Sequence, residues 1–114
     1  MSNVYIKVSY KVDVERSISL AEIAYKSGQT RRAIIHARAA LNASDDIARC
    51  VALRIFIARA LSKLGRLDES NRIYRALLNE KNYLKPIIMG LVYNNLRAKR
   101  PLKPATLGLV RVFK

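Results

Sequence analysis

LSKLGRLDESNRIYRALL, residues 61–78, decides how this chain is read. An apolar run ends at Leu64, Gly65 is the residue type suited to the left-handed position after a helix end, and a new start follows. Asp68 and Glu69 mark that start, because carboxylates in a first turn offset the positive end of the helix dipole and accept bonds from its free N–H groups. Ile73, Tyr74, Leu77 and Leu78 then recur three and four residues apart on one face. The stretch reads as two helices meeting at a tight turn.

The same period extends outward on both sides. Ile18, Leu20, Ala21, Ile23 and Ala24 lead to Gly28, and Ala33, Ile34, Ala37, Ala40 and Leu41 follow, giving a first hairpin over residues 13–44. Ser44, Asp45 and Asp46 open a long helix from about Ile47 to Leu64, the first arm of a second hairpin over residues 45–80. That helix is apolar nearly all round, through Ile47, Val51, Leu53, Ile57, Ala60, Leu61 and Leu64, so it is expected to be central and most buried. At about 100° per residue, Arg49, Ala52, Phe56, Arg59 and Lys63 form its one polar-leaning stripe. Arg54 points away from the stripe and must reach outward or pair with an acid. A third run from Tyr83 to about Ala98 tolerates Pro86 in its first turn and belongs to a basic partial hairpin over residues 81–114.

Residues 4–12 break the pattern. Val4, Ile6, Val8, Tyr10 and Val12 alternate with polar positions and tyrosine, which is a strand signal. A lone strand needs a partner, either residues 106–114 or the same strand of a second subunit in a homodimer; the alternative is that residues 1–12 extend or cap the first helix. The expected class is thus mainly α, a single domain of antiparallel helical hairpins with a possible N-terminal strand.

Charge narrows the choice of partner. The chain carries 22 Lys and Arg against 8 Asp and Glu, a net +14, and residues 81–114 contain eight basic residues and no acid. An acidic macromolecule is the expected partner, either an acidic protein segment or nucleic acid. Asp13 with Glu15, and Asp45 with Asp46, stand where helices begin and are expected to cap them. One cysteine, Cys50, rules out an intrachain disulfide and a four-thiolate metal site, and it reads as a buried small hydrophobe. No membrane-spanning run or leader pattern is present, so the chain reads as soluble and cytoplasmic, with no cofactor or metal expected.

Overlaying the hairpins at an offset of 37 residues aligns Gly28 with Gly65, Ala21 with Ala58, Ala33 with Ser70, Ala40 with Leu77 and Leu41 with Leu78. On these residues the chain resembles the tetratricopeptide repeat family, most closely through Ala58, Leu61, Gly65, Leu67, Ser70, Tyr74 and Leu77. A third unit fits through Val92, Tyr93, Leu96, Ala105 and Leu109, with Arg100 and Pro101 at its turn. The resemblance covers about residues 14–82. It implies a short stacked array that acts as an interaction module without enzymatic activity, with Glu22, Tyr25, Lys26, Arg59, Lys63, Asn94 and Arg97 lining an inner groove. Two departures stand out: the repeat runs about three residues over the family's usual period, and Arg54 replaces a bulky apolar residue. The family's peptide-carboxylate clamp is not expected, because Ile18 and Glu22 stand where it needs Lys and Asn.

Three further constellations carry alternatives. Arg31 and Arg32 occupy the positions of Asp68 and Glu69 in the overlay, reversing the charge at a helix start. That reversal suits an anion bound by the N–H groups after Gly28 and Thr30, by both guanidinium groups, and by His36 one turn on; the plain reading is two solvated arginines. Arg97, Lys99, Arg100 and Lys103 form a second basic cluster able to track phosphates without sequence choice. Arg31 and His36 also match the Arg-x4-His spacing of a superfamily of helical ribonucleases, a motif that lies late in the bundle there and early here. One His, one Cys and no Gly-rich phosphate loop otherwise leave no catalytic residues to nominate.

Overall fold

Two aspartates and two glycines punctuate the fold. In the computed structural model, which describes residues 13–98, Asp13 Oδ1 accepts the Arg16 N–H and Asp46 Oδ1 accepts the Arg49 N–H, each at 3.2 Å. They open α1 (Val14–Lys26) and α3 (Ile47–Lys63) as the sequence leads one to expect. Gly28 and Gly65, both at φ 84°, end α1 and α3 and turn the chain into α2 (Thr30–Ala43) and α4 (Leu67–Ala76). A short 3-10 turn, Lys81–Tyr83, leads into α5 (Leu84–Ala98), where Pro86 is the third residue and no helical N–H is lost.

The two turns are built alike, bond for bond. After α1, Ser27 N–H donates to Ile23 O, Gly28 N–H to Tyr25 O and Gln29 N–H to Ala24 O. After α3, Leu64 N–H donates to Ala60 O, Gly65 N–H to Ser62 O and Arg66 N–H to Leu61 O. Every donor and acceptor is displaced by the Gly28-to-Gly65 offset. Asp68 and Glu69 stand in the first turn of α4 as expected, while Arg66 is its N-cap and offers no side-chain bond. Glu69 reaches back to Arg66 Nε at 2.6 Å and is bonded there in place of a backbone N–H.

Each helix packs on the next, and α3 also touches α5. One core cluster joins Ala21, Ile34, Ala37, Leu53, Ile57 and Leu61; the other joins Val51, Ile55, Ala58, Tyr74, Ile87 and Leu91. The central helix α3 feeds both. Ala33, Ala37, Ala40, Ala58 and Ala60 are fully buried, so the helix backbones approach closely. Burying Leu61, at 1% exposure, stabilises the fold by about 1.5–3 kcal/mol.

Four apolar expectations need correcting. Leu20 and Ile23 are exposed, because α1 packs on α2 through Ile18, Ala21 and Ala24 and turns the other two away. Ile47 is 77% exposed at the first position of α3, beyond the reach of its neighbours. Cys50 is half-buried, its Sγ 3.5 Å from Ser44 O in the loop before α3. No strand occurs among the described residues, and no helix among them is long and apolar enough to cross a membrane. The strand and dimer contact assigned to residues 4–12, and the turn and tail beyond Ala98, lie outside the described residues.

Candidate functional site

The polar-leaning stripe of α3 runs along the floor of a groove between α1 and α5. Two concavities make it up. The larger, about 750 Å³, is lined by Arg59, Lys63, Tyr74, Gly90, Tyr93 and Arg97 among others. The smaller, about 490 Å³, takes in Ile18, Glu22, Lys26, Arg49, Ala52 and Phe56. Tyr25 and Arg59 line both, so they form the saddle between them.

Aromatic contacts fix this saddle. The Tyr25 ring lies 5.3 Å from Phe56, tilted by 56°, and Lys63 Nζ sits 4.5 Å above the Tyr25 ring centre. Arg97 lies 5.6 Å from the Tyr93 ring and its Nη1 donates to the Ser62 carbonyl. In the smaller concavity Arg49 is held by Glu15, which neutralises that end. The larger concavity is lined by three cations and no carboxylate. Arg59 is exposed and has no ion-pair partner among the described residues.

Asn94 belongs beneath the groove surface. It is fully buried: its Oδ1 accepts from Ser62 Oγ at 2.5 Å, and its Nδ2 donates to Ser70 Oγ at 2.9 Å and Asn71 Oδ1 at 2.8 Å. Ser70 Oγ in turn donates to Ala58 O at 2.6 Å. The network ties α3, α4 and α5 together and leaves the Asn94 amide fully engaged, so Asn94 supports the groove and presents nothing to a ligand.

Tyr74 escapes the sequence reading because its helical phase marks it as core. It is 1% exposed, its ring packs against Gly90, and its hydroxyl makes no hydrogen bond among the described residues. Burial pushes the phenol up from 10.0 to about 12, with Arg59 pulling it back down and Tyr25 adding a smaller upward push. Gly90 was equally hidden. A Cβ there would fall 2.2 Å from Tyr74 Cζ, so only glycine lets the two helices meet at this point.

The reversed-charge start of α2 is less open than its sequence suggests. The N–H groups of Gly28 and Gln29 close the preceding turn, and the Thr30 side chain is buried. Arg31 and Arg32 are exposed and His36 is half-buried. Five residues apart on α2, Arg31 and His36 diverge by about 140°, so one helix does not bring them together. Arg54 reaches outward on the opposite side of α3, where Arg38, Arg54 and Arg72 surround Leu41, Ile57 and Ile73 with no acid among them. Lys99, Arg100 and Lys103 lie outside the described residues. No group of three His, Cys, Asp or Glu that could hold a metal occurs among the described residues.

No family model matches the chain, and no curated protein or solved structure matches it either.

Proposed function

We propose that this chain is a non-enzymatic interaction module, a short tetratricopeptide-type array whose groove along α3 holds an acidic segment of a partner protein. The observation that carries the reading is the larger concavity, with Arg59, Lys63 and Arg97 around Tyr25, Tyr74 and Tyr93 and no carboxylate lining it. Cations over aromatic rings suit a chain that alternates carboxylates with apolar side chains, since each kind of group finds a counterpart within one groove. The array reading draws support from the two Gly turns, whose hydrogen bonds coincide at one offset.

Substituting Arg59→Glu and Lys63→Glu together should abolish capture of a glutamate-rich synthetic peptide in fluorescence anisotropy. Capture at wild-type strength by the double variant rejects the groove. A second reading, binding of nucleic acid without sequence choice, is favoured by Arg31, Arg32, Arg38, Arg54 and Arg72 outside the groove, which are exposed and have no ion-pair partner among the described residues. It requires gel-shift affinity for DNA and RNA that falls steeply between two salt concentrations and survives the groove variant. A flat salt response removes it.

A further inference from the structure

Resting on the groove reading, we infer that the floor of the larger concavity is a recess for one glutamate side chain of the partner, its carboxylate bonded by the Tyr74 hydroxyl and paired with Arg59. Three observations converge there. The Tyr74 hydroxyl is the recess's own unused donor: the residue is 1% exposed, lines the cavity and makes no hydrogen bond among the described residues. No buried side-chain nitrogen or oxygen among the described residues lacks a partner, so this unbonded hydroxyl keeps an accessible edge at the cavity, where an incoming carboxylate takes the place of water. Beside it stands Arg59, the groove cation with neither an acid nor an aromatic ring engaged.

Glycine at position 90 completes the recess. With no side chain there, the Tyr74 phenol end lies against the α5 backbone, and both residues line the same cavity. Ile55, Pro86 and Met89 line it too, giving the methylene stem of glutamate an apolar wall. The charge that fits is a single negative one. Lys63 lies over Tyr25 and Arg97 is held on the Ser62 carbonyl, so Arg59 is the lining cation with no such contact among the described residues, and the Tyr74 hydroxyl is the most buried of the three tyrosine donors that line the cavity. A phenol kept neutral by burial remains a donor across the physiological range. Together these features select a carboxylate on an apolar stem over a doubly charged phosphate.

The test is a thermodynamic cycle between protein and peptide. A labelled glutamate-leucine peptide and its glutamine-leucine counterpart are titrated into wild type and Tyr74→Phe by fluorescence anisotropy. The Phe variant retains the ring that packs on Gly90, and its melting curve confirms that the fold persists. Wild type should prefer glutamate, and Tyr74→Phe should weaken the glutamate peptide about tenfold while leaving the glutamine peptide unchanged, as expected for one hydrogen bond to a charged group. Phosphoserine in place of glutamate should not bind tighter. Equal affinity of wild type and Tyr74→Phe for the glutamate peptide, or tighter binding of phosphoserine, overturns the recess. If Arg59→Glu with Lys63→Glu still abolishes binding in that case, the groove stands without the recess; if that variant binds like wild type, both fall.

Discussion

The Tyr74 ring lies against the Gly90 backbone, and each residue supports a prediction at the scale of one side chain. Gly90→Ala should destabilise the fold by about 1–3 kcal/mol in urea unfolding, because the new methyl meets the Tyr74 ring inside van der Waals distance. The sign is informative, since alanine in an exposed helix interior would instead stabilise by about 1 kcal/mol. The Tyr74 phenol is held neutral by burial, with a folded pKa of about 12 against 10.0 unfolded. Above pH 10 the unfolded chain releases this proton while the folded chain keeps it, so stability falls as pH rises. The contribution is fully present below pH 10 and lost by about pH 12. Urea midpoints of wild type and Tyr74→Phe should therefore converge or cross over that window, the variant being blind to this titration. A constant difference between them contradicts the assignment.

At the scale of elements, the glycine turns were legible and the polar joint was not. Gly28 and Gly65 sit at the end of apolar periods, which is a local signal, and both adopt the left-handed conformation their positions call for. Gly28→Ala and Gly65→Ala should each cost about 1–2 kcal/mol, with no steric clash to add to it, because nothing lies near either added methyl. Asn94 misled for a physical reason: a polar residue with a basic neighbour reads as surface, and its partners Ser62, Ser70 and Asn71 come from two other helices. Its phase held a hint, because it follows Leu91 by three residues and Ile87 by seven, on the buried face of α5. Asn94→Ala should cost about 1–3 kcal/mol by leaving Asn71 and Ser70 without their donor, measured by the same unfolding titration. Leu20 and Ile23 failed the other way. Their apolar character was correct, but α1 packs on α2 and touches α3 through Tyr25, which leaves the Leu20 and Ile23 face uncovered among the described residues.

The described residues form a row of helices with basic character on both sides of α3. Along one side Arg59 and Lys63 join tyrosines in a groove; along the other, Arg54 stands with Arg38 and Arg72. The stripe on α3 was readable from helical geometry alone, because Arg49, Arg59 and Lys63 recur on one face of a helix that apart from Arg54 is largely apolar. The depth of the groove was not, since it depends on the Tyr74 to Gly90 contact between α4 and α5. Binding through such a groove should weaken only moderately with salt, because part of the contact is apolar; phosphate tracking by the outer arginines should weaken steeply.

The measurement that bears most directly on the groove is a ¹⁵N-resolved NMR titration of the full chain with the glutamate-leucine peptide. Amide shifts should concentrate at Tyr25, Arg59, Lys63, Tyr74, Gly90 and Arg97, on the helices that line the groove. Shifts confined to Arg31, Arg32, Arg38, Arg54 and Arg72, or no shifts at saturating peptide, would contradict the groove reading.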